Sequence, residues 1–303
     1  MRFLSLGLLH FAGTALGQSS IDLFTIAGFT GFPSSYEAPL SGKATESNLL
    51  VNAKVPIVFP GKTIWYNDLT YSSFAIATNL TPEPSGYLTS MRLHAFILQT
   101  GIARKLNEKD GFQLLVVPRY NSDFNGYDPK NWQFGGIALY EHRYHEKLMM
   151  RFGVMFNQEL FGPLLVPLVH IDWQMNEKWS MAGLFPIYLK INYQLSDRMI
   201  VGLSHFGLIT TYRISQQGFE TDYVERNSID EALFARYKVA GNFHLEARVG
   251  YSLARVYEQY AESEKMDFRL SIIRFGDDRL KKNVAFASGP MASLRLVYNL
   301  PIE

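Results

Sequence analysis

Asn242-Phe-His-Leu-Glu-Ala-Arg-Val-Gly-Tyr-Ser-Leu-Ala-Arg-Val-Tyr257 decides the fold. Phe243, Leu245, Ala247, Val249, Tyr251 and Leu253 fall on one face; Asn242, His244, Glu246, Arg248, Gly250 and Ser252 fall on the other. Strict period-two alternation is the mark of a β-strand with one apolar and one polar side. The pattern recurs along the chain. Leu49, Val51, Ala53, Val55 and Ile57 oppose Asn48, Asn52 and Lys54, while Met91, Leu93, Ala95 and Ile97 oppose Arg92 and His94. Pro167, Val169, Ile171 and Trp173 oppose His170, Asp172 and Gln174. Met266, Phe268, Leu270 and Ile272 oppose Lys265, Asp267, Arg269 and Ser271, and Leu294, Leu296 and Tyr298 oppose Ser293, Arg295 and Asn299. Helical spacing is scarce; only Ser228 to Lys238 also reads as a helix. The chain is all-β.

The connections orient these strands. Short polar turns lie at Pro60–Lys62, Asn107–Gly111, His145–Lys147, Asn176–Lys178, Ser196–Arg198 and Ala240–Asn242. Longer segments lie between several of them, at Thr78–Thr89, Asn121–Asn131, Gln158–Leu165, Ile214–Arg226 and Glu258–Glu264. Short turns alternating with longer loops are what an antiparallel transmembrane up-and-down β-barrel shows. The turns near 176 and 196 follow one another too closely. A break at Phe185-Pro186 restores the alternation, because proline cannot donate to a ladder. Fifteen strands result with that break and fourteen without it, and the expectation is a barrel of about 12–14.

Composition narrows the class. Among 303 residues, 29 Lys and Arg stand against 28 Asp and Glu, which excludes a basic nucleic-acid binder and an acidic tail. Cysteine is absent, which removes disulfides, thiolate metal sites and thiol nucleophiles. Arg2, the apolar Phe3–Leu9 and the small residues of Ala15-Leu16-Gly17 read as a signal peptide over 1–17, leaving 18–303 as the barrel domain. No later segment offers the roughly 20 apolar residues of a spanning helix. Trp65, Tyr66, Trp132, Tyr144, Trp173, Trp179, Tyr193, Tyr257 and Tyr298 stand near strand ends, where a bilayer interface favours them.

The hairpin Val51-Asn-Ala-Lys-Val-Pro-Ile-Val-Phe59, continuing through Lys62-Thr-Ile-Trp-Tyr-Asn-Asp-Leu-Thr-Tyr71, resembles that of an uncharacterised outer-membrane β-barrel family of Bacteroidota. Gly162-Pro163 with Pro167, and Phe185-Pro186 after Trp179, are similar to it as well. The resemblance spans roughly Ile21 to Tyr298. It implies a signal-bearing barrel of the cell outer membrane, in contact with outer-membrane lipid, without an established activity and without functional residues to transfer. Many such barrels end on an aromatic residue; this chain ends Asn299–Glu303, with Tyr298 as the last aromatic.

Ionisable side chains facing lipid are costly, so Lys54, Arg92, His94, His170, Asp172, Lys190, His244, Glu246, Arg248, Arg269 and Arg295 are expected to point inward as a polar network lining the lumen. Ser204-His205 suggests a nucleophile and base, but neighbours on a strand face opposite ways. His142 and His145 suggest a metal pair and meet the same objection. His170 with Asp172, and His244 with Glu246, do share a face, as half a metal or proton-transfer site would; paired charges in a crowded lumen explain them as well. No catalytic motif, cofactor site or metal site is expected. The reading is a non-enzymatic envelope component or a passage for a small solute. Two alternatives stand beside it: a barrel enzyme acting on envelope lipids, and a secreted soluble β-sandwich or lipocalin-like binder whose apolar faces pack inward.

Overall fold

The computed structural model describes residues 20–301 apart from 62, 81–83 and 287; the 1–17 signal-peptide expectation lies outside them. The strands are β1 Ser20–Gly31, β2 Ser34–Ser35, β3 Lys43–Lys54, β4 Ile57–Phe59, β5 Thr63–Thr78 and β6 Met91–Lys105. They continue with β7 Asp110–Ser122, β8 Trp132–His145, β9 Leu148–Glu159, β10 Gly162–Gln174, β11 Trp179–Phe185 and β12 Tyr188–Ser196. The last six are β13 Met199–Arg213, β14 Asp222–Ala240, β15 Phe243–Ala261, β16 Phe268–Leu270, β17 Ile273–Phe275 and β18 Gly289–Pro301. One 3-10 turn, Pro129–Asn131, is the sole helical element among the described residues, and no helix there is long and apolar enough to cross a membrane.

Antiparallel pairing runs from β1 through β3, then β5 to β15 in chain order, to β18. β18 pairs back to β1 from Ser20↔Pro301 to Gly31↔Met291, so fourteen strands close an up-and-down barrel whose ring is continuous at the short-turn end. β4 prolongs β3 beyond Pro56. The break at Phe185-Pro186 is present, yet the ring has fourteen strands rather than fifteen. Residues 266–272 are not a wall strand: they fall in the 262–288 connection, where β16 and β17 form a small hairpin. The six short polar turns lie at one end, and the long connections 32–42, 79–90, 123–131, 214–221 and 262–288 at the other, together with the two-residue turn 186–187. At this loop end 158–165 is no loop but a two-residue turn between β9 and β10.

The faces separate the readings. Phe243, Leu245, Val249 and Leu253 point outward, with Val249 67% exposed, whereas Glu246 and Ser252 are fully buried. Apolar rows cover the outside of a closed ring. Two stacked sheets with greasy faces between them are excluded.

The upper part of the lumen is filled by the wall itself. β12 pairs with β13 only up to Phe206, and β18 pairs with β15 only up to Ser252. Beyond those points the ends of β13, β14 and β15 stay paired to one another but leave the ring as a three-stranded tongue. A bulge sets the bend: between the pairs Ile229↔Leu253 and Asn227↔Val256, β15 carries one extra residue, and Ala254 has φ 48°. The tongue crosses to the opposite wall. There Arg213 bridges Ser122, Asn121 Nδ2 donates to Thr211 O at 3.1 Å, Gln133 Nε2 donates to the same oxygen at 3.0 Å, and Leu160 N donates to Thr211 Oγ1 at 2.9 Å.

Because both tongue faces are covered, Asp222–Ser228 is buried at every position and shows no alternation. Of the expected loop 214–226 only 214–221 is a connection; 222–226 and the possible helix from Ser228 are both corrected to strand, as parts of β14. Two apolar clusters hold the tongue. In one, Phe74, Leu93 and Ala95 of the wall pack with Tyr212, Val224 and Tyr257; in the other, Leu115, Ile137, Leu164 and Leu168 pack with Tyr223 and Tyr260. Tyr66 and Tyr257 accordingly point inward instead of joining an interfacial girdle, while Trp65, Trp132, Trp173 and Trp179 are exposed on the outside.

Candidate functional site: a charged chamber under an inward-folded tongue

Alternation along β12, β14, β15 and β18 places one set of side chains inside the ring, and near the short-turn end these are charged. Glu246 is the centre. It accepts hydrogen bonds from Lys190 Nζ at 2.6 Å, Arg236 Nε at 2.7 Å, Arg248 Nε at 2.7 Å and Arg295 Nη1 at 2.9 Å. Arg236 also donates to both oxygens of Asp22, at 3.1 and 3.0 Å, and Asn299 Nδ2 donates to Asp22 at 2.7 Å. Four cations thus surround two carboxylates. Glu246 has no exposed surface, but the Lys190 and Arg295 side chains keep about a fifth of theirs, so water reaches this chamber from below.

Two further carboxylates tie the tongue down. Glu46 of β3, buried, accepts from Arg226 Nη2 at 2.7 Å, Tyr257 Oη at 2.5 Å and Arg255 Nη1 at 3.4 Å. Glu225 of β14 accepts from Arg269 Nη1 at 2.7 Å, Arg274 Nη2 at 3.1 Å and Arg279 Nη1 at 2.8 Å, all from the 262–288 connection. On the far side Arg119 lies 2.9 Å from Glu159, which also accepts from Thr211 Oγ1 at 2.7 Å. A buried carboxylate is tolerated when it is paired and hydrogen-bonded, as Glu46 and Glu225 are through both oxygens, and as Glu159 is through Arg119 and Thr211.

The sequence-singled residues distribute unevenly. Lys190, Glu246, Arg248 and Arg295 meet in the chamber. Lys54 Nζ lies 4.0 Å from Asp68 on the neighbouring strand. His170 is buried opposite Arg151, which donates to Glu141 at 2.8 Å, and Asp172 follows on the same inward face. His244 Nδ1 contacts the Asn242 carbonyl at 3.1 Å by the short turn. Three others stand elsewhere. Arg92 is exposed on the outer side of β6, and His94 stacks on Phe124 with ring centres 4.4 Å apart. At that height the tongue fills the lumen, so the inner positions are the apolar Leu93 and Ala95. Arg269 belongs to no wall strand and reaches Glu225 from the connection. None of the three touches the Glu246 cluster.

The other pairs do not assemble chemistry. Ser204 Oγ donates inward to Ala232 O at 3.3 Å, while His205 lies on the outer side, 2.5 Å from Glu231 Oε1 and 2.9 Å from Pro186 O. His142 Nδ1 lies 2.7 Å from Asp110 Oδ1. Among the described residues no group of three His, Asp or Glu side chains could hold a metal ion. Sequence reading missed Asp22, Glu46, Glu225, Arg226, Arg236 and Arg255. The available signal was length: β14 and β15 have 19 residues each, about twice the 9–11 that cross a hydrocarbon layer.

Two carboxylates outside the strands are also held: Arg279 Nε donates to Asp277 at 2.7 Å, and Lys130 with Arg213 at the end of β13 donate to Glu262. These hydrogen bonds hold both carboxyls below their ordinary range. A carboxylate held low adds stability that is present above its unfolded-chain pKa and is lost as pH falls through the folded one. The 262–288 connection should therefore stay attached from neutral pH down to about 4 and loosen only below it. Hydrogen exchange of its amides against pH checks this; loosening already between neutrality and pH 5 would contradict it.

A profile described as a domain of unknown function (DUF6268) matches residues 69–287. The chain is a DUF6268 protein. No curated protein is significantly similar to it. The solved structures similar to this DUF6268 chain include the Pseudomonas putida toluene transporter TodX, at 11% identity and TM-score 0.40, covering 96% of this chain and 92% of that one. The translocator domain of autotransporter NalP from Neisseria meningitidis is similar at 12% identity and TM-score 0.37, covering 92% and 88%. The NanC porin is similar at 9% identity and TM-score 0.31, covering 92% and 99%.

Proposed function

We propose that this DUF6268 protein is a non-enzymatic outer-membrane barrel that acts as a gated passage for a small anionic solute. Its short turns and both ends of the ring, at Ser20 and Pro301, would face the periplasm, and its long connections the cell exterior. The observation that carries the reading is the division of the lumen. A chamber with two more cations than carboxylates lies below a tongue that blocks the way up. A closed fold alone does not give an open pore, and here the pore is shut by packed side chains.

The purified protein in planar bilayers should show little steady conductance, broken by rare openings that favour anions. A large constant conductance would contradict gating, and cation-favouring openings would contradict the solute class. Membrane residence has its own test. Val249→Arg places a charge on the outer face midway along β15 and should destabilise the barrel in lipid vesicles by about 2–4 kcal/mol. The same change would cost little if that face met water. Fractionation with heat-modifiable gel mobility gives the address directly.

A further inference from the structure

The ring is complete at its short-turn end but not above the middle. β11 and β12 have 7 and 9 residues and turn back at Pro186 and Ile187. β10 continues past them, and β13 leaves β12 just above. The last contact there is Gly207 N donating to Ile187 O at 2.8 Å. Gly207 is needed at that point, since a Cβ would lie 2.6 Å from Pro186 O. A slot remains in the wall, bounded by β10, the β11–β12 turn and the root of the tongue.

The β16–β17 hairpin fills it. β16 lies parallel to β10 through only Leu164↔Arg269 and Leu165↔Leu270, flanked by Ser271 N to Leu165 O at 2.8 Å and Met266 N to Phe161 O at 2.9 Å. β17 pairs with β16, and among the described residues no ladder joins it to the ring. The hairpin is tied to the tongue by ion pairs, Arg269 and Arg274 on Glu225, with Arg279 just beyond it on the same carboxylate, whereas its ladder to β10 has only two residue pairs. Its weak seam is therefore the one against β10. Its outward surface is greasy: Phe268 and Phe275 stack at 4.3 Å, and Ile272 at the tip is 71% exposed. Behind the seam, Phe161, Leu164, Val166 and Leu168 make the inner side of the wall apolar, packed with Tyr223 and Tyr260 of the tongue. Below it sits Lys190 on β12, the strand that forms the slot's lower edge, with its amine 2.6 Å from Glu246.

We propose that the β10–β16 seam is a lateral portal, through which an anionic amphiphile passes between the lipid phase and the charged chamber. The apolar part would slide along the inner face of β10, and the charged head would be drawn to the lysine and arginines below. The tongue closes the vertical route, and the side route would open where the hairpin parts from β10 and the apolar contacts of Phe161 and Leu164 with the tongue give way. The inference rests on the passage reading and deepens it by naming the solute's chemistry and its way in.

The chain has no cysteine, so Leu165→Cys with Leu270→Cys gives one defined disulfide across the seam. The probes are labelled dodecanoate and the water-soluble anion gluconate, offered to intact cells bearing the full-length protein. Wild type and both single variants should speed dodecanoate entry. The oxidised double variant should fall at least tenfold, to the rate of cells lacking the protein, and reductant should restore it. Unboiled gel mobility and that recovery establish that the double variant is folded. If the oxidised double variant admits dodecanoate as fast as wild type, the portal is overturned and the passage reading stands. If wild type speeds gluconate but not dodecanoate, the portal alone is again overturned. If it speeds neither, both readings go.

Discussion

Glu246→Gln is expected to cost more stability than any other single change in the lower chamber. The substitution keeps the shape and one acceptor but removes the charge that holds Lys190, Arg236, Arg248 and Arg295 together. Asp22 then remains as the counter-charge, and it is already bonded to Arg236. Removing one partner from a buried ionic group destabilises by about 3–5 kcal/mol, mostly because the groups left behind stay charged and poorly hydrated. Urea unfolding in lipid vesicles should show a loss of that size at low salt. Asp22→Asn should cost less, because Asp22 keeps a quarter of its side-chain surface and serves one cation rather than four.

The same variant probes function. With Glu246 neutral, the chamber holds an excess of three positive charges, so added phosphate should return part of the lost stability by binding the folded state. Openings in planar bilayers should become more anion-selective. A loss under about 1 kcal/mol, the size typical of exposed pairs, would mean that water and not Glu246 compensates these cations, and the proposed attraction for an anionic head would go with it.

What could be read beforehand follows from the physics of alternation. Period two announces a strand with two unlike faces, and turn lengths announce which ends are joined closely; both are local and both are written in β15 and its neighbours. Alternation does not say what each face meets. Along β6 the pattern Met91, Leu93, Ala95 is as regular as that of β15, yet Leu93 and Ala95 face the tongue while Arg92 is outside. The tongue itself left no alternation to read, since Tyr223, Val224, Glu225 and Arg226 are buried on both faces. The partners in each ionic cluster come from strands far apart in the chain, such as Lys190 with Glu246 and Glu46 with Arg226. Only closure of the ring brings them together. Residues 266–272 mimic a wall strand because a two-stranded hairpin obeys the same period.

Glu46→Gln tests whether the tongue is the gate. Glu46 stands on β3 and is the wall's ionic hold on one side of the tongue, through Arg226 and Tyr257 at its edge and Arg255 in the bulge. The Arg226 guanidinium also sits 3.9 Å over the ring of Phe74, so losing the carboxylate frees an arginine that is otherwise held by an aromatic face. The expected loss is again about 3–5 kcal/mol, but it falls on the tongue rather than on the ring, whose wall ladders do not involve Glu46's side chain. The barrel should therefore persist, with its gel shift intact, while the tongue detaches on the β3 side and remains held at Glu159 and Thr211. Conductance should rise from rare openings to a substantial open fraction. Glu46→Asp, which keeps the charge but shortens the reach, should fall between. If Glu46→Gln lowers the unfolding midpoint yet stays as closed as wild type, the apolar clusters around Tyr212 and Tyr223 hold the tongue unaided. In that case the vertical route is sealed permanently, and any traffic must use the side of the barrel.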